Sequence, residues 1–212
     1  MRDQLLCQLD LFKTIPEDLL VTVFPKRMSK GEIIFNEGDA PEAVYLLKSG
    51  LVKTVRYTSQ DEPSTVDFIT PGQMFGMIAV MDNQKYPVGA VAVRDSEIVR
   101  LSASLFQELI GRFSEFRKEI FRQVGNHLRN AQVLRTLMQE PVERRIAHIL
   151  NRLLITMGPE IQLLREDIAE MAGCTESTAV RILIGFRKKK IIQTGWKKFK
   201  IISPEKLKTL LY

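Results

Sequence analysis

The sequence is poor in the residues that build disulfide frameworks and metal centres. Its 212 residues include two cysteines, Cys7 and Cys174, two histidines and one tryptophan. Two distant cysteines behind a start without an apolar leader favour a reduced, cytoplasmic setting, in which Cys7 is a small buried side chain. No apolar run approaches the roughly 20 residues that cross a bilayer. We therefore expect a soluble protein without a membrane partner.

Acidic residues are scarce in the last third of the chain. Residues 1–137 carry 17 basic and 17 acidic side chains, whereas residues 138–212 carry 14 basic and 8 acidic ones. The net charge of +6 therefore belongs entirely to the second segment. A basic balance confined to one domain predicts a polyanionic partner for that domain rather than a general attraction to membrane surfaces.

Short β-type runs separated by turn residues fill the segment from Met28 to Leu101. The runs GEIIF, AVYLLKSG, LVKTVRY, STVDFIT and GAVAV follow the 8–12-residue rhythm of an antiparallel sandwich or barrel. The segment has no histidine, so it lacks the ligands that a metal-dependent oxygenase needs. We predict a non-enzymatic β-roll domain over residues 1–103, with no catalytic residues and no metal site.

A helical pattern follows over residues 104–138, with apolar residues close to heptad spacing. Its stripe contains Phe113, Phe116, Ile120, Val124, His127, Ala131, Leu134 and Met138. Such a stripe needs a partner, and a two-fold related copy is the commonest one. The alternative partner is the chain's own β-roll, and both contacts can form on opposite faces of the helix. We predict a homodimer whose seam contains Ile120, Val124, Ala131 and Leu134.

Residues 139–212 form the third predicted segment, which begins at a hinge because Pro141 disfavours helical geometry before it. Two of its helices meet at Gly173, and Thr175 caps the second of them. A short β-hairpin follows, with Gly195 in its turn. The whole chain is therefore predicted to be an α+β protein, with an N-terminal antiparallel β-roll, a long dimerisation helix and a C-terminal winged helix-turn-helix.

The second helix of this motif and the hairpin after it are strongly basic. Residues 181–200 contain eight lysines or arginines and no acid, as expected of phosphate contacts. The outward face near the N-terminus of a recognition helix meets base edges in the major groove, and Arg181 is the candidate for a guanine contact. We predict double-stranded DNA as partner, contacted by Arg165, Thr175, Glu176, Ser177, Thr178, Arg181, Lys189, Lys197 and Lys198.

Two alternatives to DNA binding stay open for the basic segment. It could be the solvated face of an unrelated helical hairpin, or the chain could be a ligand-binding regulatory module whose basic domain binds RNA or a protein. Sequence-specific RNA recognition relies on aromatic side chains that stack on unpaired bases. The hairpin offers chiefly Trp196 and Phe199 for that purpose, which favours duplex DNA.

Four motifs carry a resemblance to a known family: GEIIFNEGD and PGQMFG in the β-roll, EPVERRIAHIL after the hinge, and LREDIAEMAGCTESTAVRIL in the helix-turn-helix. Over essentially its whole length the chain resembles the Crp/Fnr family of bacterial transcription regulators. The resemblance implies a β-roll that senses a small molecule, a dimerising long helix, and paired recognition helices on a palindromic promoter site, with RNA polymerase as a further partner. Ser177 stands where many members carry a base-reading glutamate, so a different half-site sequence is expected.

The resemblance places an effector pocket at Gly76, Met77, Lys85, Pro87, Val88, His127, Ala131 and Gln132. In cyclic-AMP-binding members Gly-Glu holds the ribose and Arg-Ser the cyclic phosphate, whereas this chain has Gly76-Met77 and Pro87-Val88. Cyclic AMP is therefore not the expected effector. One N-terminal cysteine is too few for the iron–sulfur cluster of the oxygen-sensing branch. Haem, and with it NO sensing, stays an alternative with His127 as ligand candidate, but an apolar or aromatic ligand, or none, is favoured.

Overall fold

The computed structural model describes residues 12–13, 15–57, 63–195 and 198–211, without the side chains of Pro63 and Leu134. The expectations for Cys7, Trp196 and Lys197, and for the Leu134 side chain, lie outside the described residues. The chain divides into two units, Met1–Arg129 and Asn130–Tyr212. This division falls within the long helix, and the predicted boundaries after residues 103 and 138 stay predictions.

The first unit is built on two antiparallel sheets, which confirms the predicted β-roll. A short 3-10 helix, Glu17–Leu20, comes before the first strand. One sheet has the strand order β1-β8-β3-β6 and the other β2-β7-β4-β5. The strands are β1 (Pro25–Met28), β2 (Ile33–Phe35), β3 (Ala43–Ser49), β4 (Val52–Tyr57), β5 (Pro63–Ile69), β6 (Met74–Phe75), β7 (Gly89–Ala92) and β8 (Ser96–Ser102). Helix α1 (Met77–Asp82) connects β6 to β7.

The predicted single long helix is two helices. Helix α2 (Ala103–Arg112) begins where the Ser102 side chain accepts a hydrogen bond from the backbone N–H of Leu105. It ends at Phe113, whose backbone is extended, and helix α3 (Ser114–Leu137) starts at the next residue. The heptad-like stripe begins only at Phe113, which packs against the same apolar core as residues of the helices on either side of it.

Helix α3 buries its first apolar stripe in the β-roll. Phe116 and Ile120 are each 1% exposed and belong to a core cluster with Val44, Leu46 and Phe106. The placement of Ile120 at the dimer seam was therefore wrong, because its side chain is enclosed by contacts within its own unit. Val124 is half-buried and packs on the edge of the same cluster.

The second unit is a winged helix-turn-helix, as predicted. Its elements are α4 (Val142–Met157), β9 (Glu160–Ile161), α5 (Arg165–Met171), α6 (Glu176–Lys188), β10 (Ile192–Gly195), β11 (Lys198–Ile201) and α7 (Pro204–Lys208). The wing hairpin β10-β11 is extended by β9 into a three-stranded sheet. The sequence did not reveal β9, because a strand of two residues is too short to show alternation.

We expect Gly50, in the β3–β4 turn, to tolerate replacement poorly. Its φ is +103°, and a Cβ there would lie 2.6 Å from the Ser96 Cα. Gly50→Ala should lower the free energy of unfolding by about 2 kcal/mol or more, through strain and this backbone clash. Urea unfolding of the two variants measures the difference, with Gly38→Ala as control, since Gly38 also has a positive φ but open space around it. Equal losses would contradict the clash.

Candidate nucleic-acid interface

The turn between α5 and α6 has a defined geometry. Gly173 adopts a left-handed conformation, with φ of +58°, which glycine reaches without steric cost. The backbone N–H of Cys174 donates to the carbonyl of Ala169 at 3.0 Å, closing the end of α5. From α4, the Arg145 guanidinium donates to the carbonyl of Gly173 at 3.4 Å. The turn is therefore held by one backbone hydrogen bond and by one hydrogen bond from an arginine side chain.

Helix α6 begins at a side-chain cap. The Thr175 hydroxyl oxygen accepts a hydrogen bond from the backbone N–H of Thr178 at 3.3 Å and lies 2.9 Å from the Thr178 hydroxyl. Such a cap satisfies one of the N–H groups that the first turn leaves unpaired. Thr175 and Thr178 thus shape the end of the helix, and Thr178 is half-buried.

One face of α6 is buried and the opposite face is open. Ala179, Leu183 and Phe186 are buried at helical spacing, while Glu176, Ser177 and Arg181 are exposed. The Arg181 side chain makes no hydrogen bond or ion pair with the residues that the structure describes. Its guanidinium is therefore available to donate two hydrogen bonds to a guanine edge.

Two of the lysines in the basic segment from 181 to 200 are paired with carboxylates. Lys189 Nζ lies 3.0 Å from the Glu143 carboxylate on α4, and Lys200 Nζ lies 3.0 Å from that of Glu160 on β9. The hydrogen bond from Lys200 and its charge hold the pKa of Glu160 below its usual value. The sequence carries no local signal for either pairing, since the partners are 46 and 40 positions apart.

The remaining predicted DNA contacts lie on exposed positions of the second unit. Arg165 is exposed at the first residue of α5, and Lys198 is exposed on β11, where it pairs in register with Gly195. Arg187 and Lys188 end α6 with two further exposed cations. These side chains add exposed positive charge to the second unit.

The predicted effector region of the β-roll contains an aromatic cluster that sequence reasoning missed. The rings of Phe35 and Tyr86 stack with centroids 4.0 Å apart, and Tyr45 and Phe75 join them. The Tyr86 hydroxyl donates to the carbonyl of Ala43, and burial raises the pKa of Tyr86 to about 12. Tyr86 thus stays a neutral, packed residue at ordinary pH.

The structure brings together only some of the residues assigned to the effector pocket. Gly76 precedes α1 in a left-handed conformation, and a Cβ on it would lie 3.1 Å from the Tyr86 ring. Met77 is buried in the apolar core, and Val88 is half-buried. Lys85 and Pro87 are exposed. The assigned residues are thus a mixture of packed apolar groups and exposed ones that include one solvated cation.

His127, which the sequence places on the apolar stripe of the long helix, is exposed in the described chain. Its side chain is 53% exposed, and Nδ1 lies 3.5 Å from the Asp67 carboxylate on β5. Ala131 and Gln132, further along α3, are also exposed. In the described residues no group of three or more His, Cys, Asp or Glu could hold a metal ion.

A β-roll, a long helix and a winged helix-turn-helix define the class of effector-domain transcription regulators. The sequence model of the cyclic nucleotide-binding domain matches residues 25–113, and that of the Crp-like helix-turn-helix domain matches residues 144–210. The chain belongs to the Crp/Fnr family of DNA-binding transcription regulators. Among the described helices, none is long and apolar enough to cross a membrane.

Individual relatives support this assignment. The chain is 29% identical to the cyclic AMP receptor protein of Thermus thermophilus over 181 residues, 84% of each chain. It is 25% identical to the fumarate and nitrate reduction regulatory protein of Vibrio cholerae, over 87% of this chain and 77% of that one. Its fold is similar to that of FixK2 from Bradyrhizobium japonicum, with a TM-score of 0.78 at 21% identity, covering 89% of this chain and 96% of that one.

Cyclic AMP and cyclic GMP should not bind this protein at micromolar concentration. A buried cyclic phosphate needs a charged or multiply donating partner, and Gly76-Met77 and Pro87-Val88 supply no charged side chain. Titration calorimetry with each nucleotide should give no saturable heat, in the wild type and in Lys85→Ala alike. Micromolar binding that Lys85→Ala removes would show that the exposed lysine serves as the phosphate partner.

Proposed function

We propose that the protein acts as a homodimer on a two-fold symmetric duplex site, with helix α6 of each protomer in the major groove. The observation that carries this proposal is the division of α6 into a buried face and an open face that presents Ser177 and Arg181 beside a capped N-terminus. The N-terminal half of a recognition helix is the part that meets base edges. A symmetric dimer then requires two half-sites about one helical turn apart, roughly 34–36 Å.

Different side chains of this surface serve sequence reading and affinity. Arg181 reads a guanine. Ser177 and Glu176 lie about one turn nearer the N-terminus of α6, within reach of neighbouring base edges. Arg165 and Lys198 bind phosphates, with Lys197 assigned to the same role from the sequence. Lys189 joins them when it exchanges the Glu143 carboxylate for a phosphate.

The two roles separate in a binding experiment. Arg181→Ala should weaken binding to a selected specific duplex by about 1–3 kcal/mol more than binding to random duplex DNA, because it removes the guanidinium that donates two hydrogen bonds to the guanine edge. Lys198→Ala should weaken both kinds of DNA alike, and should reduce the slope of log K against log salt by about 0.9 for each phosphate that is no longer neutralised. Mobility shifts at several salt concentrations measure both effects, with RNA of equal length as a negative control.

Equal losses on specific and random DNA in Arg181→Ala would show that α6 is not the reading helix. Preferential binding of the RNA would instead favour the alternative of an RNA-binding module. The two results are distinguishable, because the first removes α6 as the reading helix and the second changes the class of partner.

The dimer interface that we propose is the second apolar stripe of α3. Phe121 and Leu128 are 61% and 60% exposed and lie seven positions apart, which places them on one line of the helix. Val124 lies between these two residues, and the exposed Ala131 follows Leu128, on the same side of the helix. Large apolar side chains at this spacing match a two-fold copy of the same helix. The proposed seam therefore keeps Val124 and Ala131 and replaces Ile120 with Phe121 and Leu128.

A charge at the centre of this stripe should separate the dimer. Leu128→Glu would place two carboxylates near each other at a two-fold axis, with burial adding to their repulsion. Sedimentation should find a folded monomer with wild-type circular dichroism. Val133→Glu is the matched control, since Val133 is also exposed but lies about 140° round the helix from Leu128. Dissociation of the control, or a dimer in Leu128→Glu, would move the interface elsewhere.

The effector that fits the β-roll is an apolar or aromatic small molecule, or none. Packed aromatic rings carry no charge, and Lys85 is exposed to solvent, so neither would compensate a buried phosphate. Relatives with this fold are named for different effectors, since they include a cyclic AMP receptor protein in Thermus thermophilus and a c-di-GMP-responsive regulator in Xanthomonas campestris.

A promoter-bound dimer would act in the cytoplasm, with RNA polymerase as its further partner.

A further inference from the structure

An apolar ridge, formed by the exposed Ile184 and the half-buried Val180, runs along the open face of helix α6. Ile184 is 40% exposed, although it lies in the most basic part of the chain. Val180, four positions earlier and half-buried, stands directly before it on the same line of the helix. Arg181 and Lys188 flank this ridge on one side and Arg187 on the other, as the periodicity of the helix requires.

The fold of the domain does not require this ridge. The face of α6 that packs inward contains Ala179, Leu183 and Phe186. Ile184 is not part of this buried set, and a polar side chain there would leave the core packing intact. An isoleucine kept in water among cations therefore indicates a partner that supplies both negative charge and an apolar group.

Duplex DNA supplies this combination in one place. Its phosphates attract the flanking cations, and the C5-methyl group of thymine is an apolar group on the floor of the major groove. A lipid surface would also combine charge with apolar groups, but the same helix face carries Arg181 and Ser177, which suit base edges. The charge around the ridge and its place on the recognition helix thus select a thymine methyl as the occupant.

We infer that Val180 and Ile184 contact thymine methyl groups and make the protein prefer thymine beside the base pair that Arg181 reads. Val180 lies nearer the helix N-terminus and therefore reaches deeper toward the base edges than Ile184. This inference rests on the proposed placement of α6 in the major groove. It adds an apolar determinant to the hydrogen-bonding residues that the sequence suggested.

Replacement of thymine with deoxyuridine tests the contact, because it removes the methyl group and leaves base pairing unchanged. Wild-type protein is first used to select sequences from a duplex pool with a random central segment. The selected duplex is then remade with deoxyuridine at single thymines, and the dissociation constants are measured for wild type, Val180→Ala and Ile184→Ala. Alanine is the best helix former, so both variants are expected to fold, and circular dichroism verifies this.

The wild type should lose about fourfold in affinity for each contacted methyl removed, the effect of one buried apolar carbon. Val180→Ala or Ile184→Ala should bind the thymine and deoxyuridine duplexes equally at that position. Ile155→Ala is the matched control, since Ile155 is 75% exposed in the same unit but lies on α4. It should keep the full sensitivity of the wild type.

Two results would overturn the inference. Either the wild type is insensitive to deoxyuridine at every selected thymine, or the sensitivity persists unchanged in both alanine variants. Failure of the proposed function would look different, because no sequence would then be enriched from the pool. Arg181→Ala separates the two determinants further, since it should lose guanine discrimination and retain its sensitivity to the methyl group.

Discussion

An α-helix can bury each of its stripes against only one neighbour, and this constraint organises helix α3. Phe116 and Ile120 are buried in the β-roll, so those positions are unavailable to a second chain. The neighbouring stripe, with Phe121 and Leu128, remains open. The packing of the start of α3 against the β-roll therefore determines which residues could contact a two-fold copy. The proposed dimer interface would then lie on the same helix that packs against the domain expected to sense an effector.

The same constraint divides helix α6. Its inward stripe contains Ala179, Leu183 and Phe186, all of them buried. What remains outward is set by this packing, since Arg181 cannot turn inward without exposing Leu183. The Thr175 cap and the left-handed Gly173 then fix where the helix begins. Specificity thus depends on a few exposed side chains whose directions the buried ones determine.

Much of the fold could be predicted from the sequence because its signals are local. Strand alternation, the turn at Gly173 and the cap at Thr175 each lie within a few residues, and the structure contains all three. Spacing alone could not say which neighbour covers Ile120, because apolar stripes against a roll and against a second helix have the same periodicity.

The site was harder to predict because it depends on contacts between distant positions. The charge density from 181 to 200 suggests that every lysine there is a free cation, whereas Lys189 and Lys200 each face a carboxylate brought close by folding. The aromatic cluster of Phe35, Tyr45, Phe75 and Tyr86 likewise joins four separate segments. The sequence contains all of these residues but has no local sign that they meet.

The pairing of two lysines with carboxylates affects how the protein would discriminate between sequences. Exposed ion pairs are weak and screened by salt, so a phosphate with the charge of the whole duplex behind it can displace them. Each displacement nevertheless leaves an unpaired carboxylate beside the DNA, and this negative charge reduces the binding free energy that the lysine contributes. This lowers sequence-independent attraction without touching base contacts. In the proposed complex, affinity for a correct site would then depend more heavily on the outward side chains of α6, and we expect Glu143 and Glu160 to favour specificity.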